Sequence, residues 1–91
     1  MNVYDNIVLN IWYYLDKLNN NKEFIKNCPN ITPQEYLIAK TTPDIKPKRI
    51  IKILNGKSKR IRINELIIIS RALNVKLKDL IVENEVKDND L

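Results

Sequence analysis

Apolar residues recur at intervals of three and four along most of this chain, a spacing that places them on one face of an α-helix. The clearest run covers residues 3–18, where the apolar face consists of Ile7, Ile11, Tyr14, Leu15 and Leu18. The chain has little of the regular apolar–polar alternation typical of β-strands, and its one glycine, Gly56, offers few tight turns. The pattern therefore predicts an all-α fold for these 91 residues, a length that suits one domain.

Residues that favour helix starts and stops divide the chain further. The sequence Thr32-Pro33-Gln34-Glu35 has the pattern of a capping box with proline in the first turn. The helix that it opens should end near Thr41, because Pro43 follows. Asp44 can cap the next helix, with Pro47 tolerated in its first turn.

The second half of the chain continues in the same way. The helix after Asp44 should run to about Asn55, with Gly56 as its left-handed C-terminal residue. Apolar spacing predicts two more helices at residues 64–73 and 77–82, with Asn74 ending the first of them. We therefore expect about five helices.

Positive charge is concentrated in one stretch. The whole sequence carries +5, but residues 44–62 hold eight cations against Asp44 alone, or eight minus one, +7. These cations are Lys46, Lys48, Arg49, Lys52, Lys57, Lys59, Arg60 and Arg62. Residues 83–91 hold four carboxylates against one lysine, or −3, and are expected to fray. The basic stretch predicts a polyanionic partner, either nucleic acid or an anionic membrane face.

The chain lacks the residues that several other classes of protein need. With no histidine, no glycine-rich phosphate loop and no nucleophile beside an evident base, an enzyme is not expected, and neither is a cofactor. The one cysteine, Cys28, cannot form an internal disulfide and lacks partners for a metal site, so we interpret it as a small buried apolar residue. No apolar run approaches the length of a membrane span, and no signal-peptide pattern is present, so an intracellular protein is expected.

The stretch IKPKRIIKILNGKSKRIRINELIIISRALNVKLKDLI resembles the phage-repressor and Cro-type (xenobiotic-response-element) family of helix-turn-helix DNA-binding domains. The likeness extends over residues 32–82. It implies that Ile45, Ile50 and Ile53 are buried positions of the recognition helix and that Gly56 ends this helix. It also implies that the apolar residues of the following helices pack inward, namely Leu66, Ile69, Ala72, Leu73, Val75, Leu77 and Leu80.

The resemblance implies a single lambda-repressor-like bundle in four parts. These are an N-terminal helix and extended link at 1–30, a helix-turn-helix pair at 32–55, a basic loop and packing helices at 56–82, and an acidic tail at 83–91. The chain departs from the family pattern in three places. Leu54 stands where a glutamate is frequent, the turn at 41–44 is about one residue longer, and the link at 19–31 is longer. Within that link, residues 22–27 either continue the first helix or form a short helix of their own.

The outward side chains of the recognition helix are the candidate DNA contacts, because an α-helix fits the major groove of B-DNA. Burial of Ile50 and Ile53 turns the cations outward. Base contacts are expected from Lys48, Arg49 and Lys52, with the planar fork of Arg49 suited to a guanine edge. Phosphate contacts are expected from Lys46, Lys57, Lys59, Arg60 and Arg62. For Ile51, contact with a thymine methyl and a packing role are equally open.

The sequence thus predicts a transcriptional regulator, expected to be a repressor, that binds double-stranded DNA as a homodimer. It is expected to be phage-like and to act in the bacterial cytoplasm or nucleoid. The alternative is a protein-interaction module that uses the same fold, such as an antitoxin or a phage-encoded inhibitor of a host nucleic-acid-binding complex. RNA is a further possible partner. Membrane-surface binding is disfavoured because the core needs the isoleucines that would insert.

Overall fold

The computed structural model describes residues 3–27 and 30–82, which form six α-helices and no strand. The helices are α1 (Val3–Asn19), α2 (Lys22–Asn27), α3 (Pro33–Thr41), α4 (Pro47–Leu54), α5 (Ile63–Leu73) and α6 (Leu77–Ile81). The all-α prediction is confirmed, and the segment at 22–27 is a short helix of its own. The expectations for Cys28 and for residues 83–91 lie outside the described residues.

A single apolar core joins five of these helices. Ile11, Leu37 and Ile69 are fully buried in it, and Ile45 and Ile61 enter it from the loops on either side of α4. The residues predicted to face inward do so: Ile7, Leu15, Ile50, Ile53, Leu66, Leu73 and Leu80 are buried, while Tyr14, Leu18, Ala72, Val75 and Leu77 pack against them partly buried. Helix α2 contributes no buried residue.

Two asparagines tie the first helix to the last. Nδ2 of Asn10, a residue 2% exposed, donates hydrogen bonds to the carbonyl oxygens of Leu80 at 2.8 Å and Val82 at 2.7 Å. Nδ2 of Asn6 donates to the same Val82 oxygen at 2.7 Å. Carbonyls at the end of a helix lack partners within it, so these side chains satisfy groups that would otherwise be costly to bury. Helix α1 is therefore an integral part of the domain.

The predicted capping box at the start of α3 is present. Glu35 N donates to Thr32 Oγ1 and Thr32 N donates to Glu35 Oε1, both at 3.1 Å. The hydrogen bond from the Thr32 backbone is the largest cause that lowers the pKa of Glu35. At the other end of this helix, Thr41 is buried and its hydroxyl donates to Leu37 O at 2.8 Å. The helix ends at Thr41, as predicted.

The start of α4 differs from the prediction. Asp44 does not cap this helix, which begins at Pro47 with Lys46 in the N-cap position. The reason is that a residue before proline is driven to extended geometry, and Lys46 has φ −67° and ψ 144°. The helix ends as expected, with Gly56 at φ +70°, and α5 ends at Asn74 with φ 57°.

None of the helices within the described ranges combines the length and the apolar composition needed to cross a membrane.

Candidate nucleic-acid interface

Helix α4 has one face in the core and one in solvent. Ile50 and Ile53 are fully buried and Leu54 is nearly so. The opposite face presents Lys48, Ile51, Lys52 and Asn55, and all four are exposed. These residues are three or four positions apart, so they form one continuous patch on the helix surface. We call this patch the outer face of α4.

The cationic side chains of residues 44–62 lie around one open cleft beside this face. The cleft has a volume of about 600 Å³. The cations that line it are Lys46, Arg49, Lys52, Lys57, Lys59, Arg60 and Arg62. The structure thus brings together every cation of residues 44–62 except Lys48, which lies on the outer face of α4. Of the lining cations, all but Arg49 are exposed. We call this arrangement the basic cleft.

The loop that carries four of these cations is held at both ends. At its start, Lys57 N donates to Lys52 O at 3.1 Å and Gly56 N donates to Ile53 O at 3.0 Å, which closes the end of α4. Near its end, Ile61 is buried with 5% exposure and anchors the chain between two exposed arginines. The core role of Ile61 was not predicted. Both anchors fix where the loop cations stand relative to α4.

Arg49 occupies a different place from its neighbours. Its Nε donates to Glu65 Oε2 at 2.6 Å and its Nη2 to Glu65 Oε1 at 2.9 Å, a two-point contact between α4 and α5. Its Nη1 donates to Ser58 Oγ at 2.8 Å and its Nη2 also donates to Arg60 O at 2.6 Å. The guanidinium of Arg49 is therefore engaged within the protein, and its contact with a base stays a prediction.

Glu65 accepts these hydrogen bonds from Arg49, a role that was not predicted from the sequence. Its side chain is 13% exposed, and its Oε1 also accepts a hydrogen bond from Arg62 N at 2.9 Å, which caps the start of α5. The hydrogen bond from Arg49 is the largest cause that lowers the pKa of Glu65, while burial opposes it. The same hydrogen bond raises the pKa of Arg49. Glu65 is therefore charged at neutral pH and forms its ion pair with Arg49.

Ser58 completes this network from the loop. Its hydroxyl accepts from Arg49 and donates to Arg60 O. Arg49, Glu65 and Ser58 together connect α4, α5 and the basic loop. The available signal was that Glu65 is the first carboxylate after the cations of residues 44–62, and a carboxylate in that position is a natural partner for an arginine fork.

The far end of α4 is fixed by α1. Nε1 of Trp12 donates to Leu54 O at 2.8 Å, which satisfies a carbonyl in the last turn of α4. Trp12 itself is 38% exposed. Helix α4 is thus held in its first turn by Arg49, at its end by Trp12 and along its inner face by the core.

The resulting surface is rigidly supported and strongly positive. Within the described ranges, the ammonium groups of Lys48 and Lys52 make no hydrogen bond or ion pair, and both residues are exposed to solvent. Within the same ranges, no group of three or more histidine, cysteine or acidic side chains is placed to hold a metal ion. Chemically, the surface can donate hydrogen bonds and attract anions.

No protein-family model, curated protein or solved structure matches this chain. The function must therefore be argued from the geometry of the basic cleft and the outer face of α4.

Proposed function

We propose that this chain is a sequence-specific double-stranded DNA-binding protein that regulates transcription as a homodimer. Helix α3, the turn that follows and α4 act as a helix-turn-helix, with the outer face of α4 in the major groove. The observation that carries the proposal is the juxtaposition of this exposed helix face with the basic cleft of about 600 Å³.

Two sets of cations have different roles in this proposal. Lys48 and Lys52 project from the outer face of α4 and reach base edges, where lysine can donate to the N7 and O6 acceptors of guanine. The cations around the cleft grip the sugar–phosphate backbone on either side, and they are Lys46, Lys57, Lys59, Arg60 and Arg62. Arg49 is a positioning residue that fixes α4 and the loop relative to each other. In this proposal the whole protein is a phage-like repressor that acts in the bacterial cytoplasm or nucleoid and catalyses no reaction.

The test is a titration of the protein against duplex DNA selected from a random pool and against random duplex, at several salt concentrations. We expect the selected duplex to bind more tightly, by at least about a thousandfold, and the affinity for both to fall steeply as salt rises. Equal affinity for the two duplexes would leave only a non-specific polyanion-binding protein. An affinity that does not depend on salt would show that the cations of the basic cleft do not bind DNA phosphates.

A protein-interaction module is the second candidate, and a different observation favours it. A cleft of about 380 Å³ lies between α1 and α3, lined in part by Trp12, Leu15 and Pro33. Such partly apolar clefts are typical of surfaces that receive a side chain or ligand. The absence of salt-dependent binding to either duplex would favour this candidate over the regulator.

A further inference from the structure

An isoleucine stands exposed among the polar residues on the outer face of α4. Ile51 is 39% exposed, whereas Ile50 and Ile53 in the same helix are fully buried. Its neighbours on the helix surface are Lys48, three residues before it, and Asn55, four residues after it. Ile51 is therefore the apolar element of a patch that otherwise donates hydrogen bonds.

One chemical group in the major groove matches an apolar side chain in this position. The edges of the bases present hydrogen-bond donors and acceptors there, together with the 5-methyl group of thymine. A scattered apolar residue on a protein surface needs no special explanation. Ile51, however, lies on the face that the proposed function places against base edges, where a neighbouring lysine can bind guanine acceptors.

We propose that Ile51 contacts the 5-methyl group of a thymine and so makes the preferred DNA site contain thymine at a fixed position. This inference rests on the proposed function and deepens it, since it names one base of the site. The contact removes the 5-methyl group of thymine and part of the Ile51 side chain from water. Burial of one such group corresponds to an affinity change of about fourfold.

The position of Ile51 makes a clean test possible. Its side chain lies outside the core, and Ile51 O accepts the hydrogen bond from Asn55 N at 3.0 Å through the backbone alone. Alanine favours helices more than isoleucine does, so Ile51→Ala leaves α4 intact. A matched control is Ile25→Ala, because Ile25 is 53% exposed and lies on α2.

The experiment replaces each thymine of the selected duplex in turn by deoxyuridine, which lacks only the 5-methyl group. Dissociation constants are measured for the parent protein, Ile51→Ala and Ile25→Ala on every duplex. We expect one thymine position at which deoxyuridine weakens the parent and Ile25→Ala about fourfold. Ile51→Ala should bind the original duplex about fourfold more weakly than the parent does, with no further loss on the deoxyuridine duplex.

Two results would overturn the contact while leaving DNA binding intact. One is a loss of affinity on replacing thymine by deoxyuridine that is as large for Ile51→Ala as for the parent at every position. The other is a parent whose affinity does not change when any thymine is replaced by deoxyuridine. A parent that prefers no duplex over random DNA would refute the proposed function itself and the contact with it. A parent that binds an RNA of the same sequence as tightly as the DNA would also overturn the contact, because uracil carries no 5-methyl group.

Discussion

The guanidinium of Arg49 on α4 and the carboxylate of Glu65 on α5 form a two-point contact, with Nε–Oε2 at 2.6 Å and Nη2–Oε1 at 2.9 Å. Two parallel charge-assisted hydrogen bonds of this kind are specific in geometry as well as favourable in energy. Because Arg49 also bonds to Ser58 and Arg60, one side chain sets the distance between the proposed recognition helix and the loop that carries the phosphate-binding cations.

Loss of this contact should destabilise the fold. We expect Glu65→Gln to lower the free energy of unfolding by about 1–2 kcal/mol, since it removes a charge-assisted pair that is only partly exposed. Arg49→Lys should cost a similar amount, because an ammonium group cannot make the two-point contact. Urea denaturation measures both. The control is Lys48→Ala, which should change stability by no more than about 0.5 kcal/mol. Midpoints for Glu65→Gln and Lys48→Ala that coincide would contradict the structural role of the pair.

The same pair should make stability depend on acid pH. The pKa of Glu65 is lowered in the folded state by its hydrogen bond from Arg49, so the folded protein binds this proton less strongly than the unfolded chain does. The contribution is therefore fully present above the ordinary glutamate value of 4.5 and is lost as the pH falls through the lower folded pKa. As the pH falls below about 5, the free energy of unfolding should fall more steeply for the parent than for Glu65→Gln. Parallel curves for the two proteins would show that Glu65 titrates normally.

The loop cations should contribute to DNA binding without regard to sequence. Lys59→Ala and Arg60→Ala remove exposed charges of the basic cleft. Each should weaken binding to selected and random duplex by the same factor and reduce the slope of log affinity against log salt by about one unit. Lys26→Ala on α2 removes an exposed cation from outside the cleft and should leave the slope unchanged. A loop variant that behaves like Lys26→Ala would remove that residue from the interface.

Two copies of the chain should occupy one DNA site. The domain measures 35 × 31 × 21 Å, so two copies fit on half-sites about 34 Å apart, one turn of B-DNA, when the shortest axis of each lies along the duplex. The candidate contact surfaces are the exposed apolar residues of α1, such as Leu9, and those at the end of α6, such as Ile81. Light scattering at saturating protein should give two chains for each selected duplex. A ratio of one chain for each duplex would contradict binding as a homodimer.

Most of the fold could be predicted because its signals are local. The spacing of apolar residues, the capping box at Thr32 and the left-handed residues Gly56 and Asn74 each depend on a few neighbouring positions. The start of α4 was predicted wrongly from Asp44, since a good capping residue was given more weight than the effect of Pro47 on the residue before it. Proline's steric restriction on its neighbour decides that boundary.

The site was harder to predict because its decisive contacts join distant parts of the chain. The cations that line the basic cleft could be found from charge density alone. That Arg49 pairs with Glu65 depends on where the fold places α5, sixteen residues further along the chain, relative to α4. The hydrogen bonds from Asn10 to the end of α6 span seventy residues and are likewise invisible to local patterns.

If the outer face of α4 reads base sequence, the specificity of binding depends on Lys48 and Lys52. The measurement is the ratio of affinities for selected and random duplex, determined for the parent, for the double variant Lys48→Ala/Lys52→Ala and for Lys59→Ala. We expect the double variant to lower this ratio by about tenfold or more, whereas Lys59→Ala should weaken binding to both duplexes and leave the ratio unchanged. A double variant that keeps the parent's ratio would contradict the account, because its specificity would then arise elsewhere than on α4.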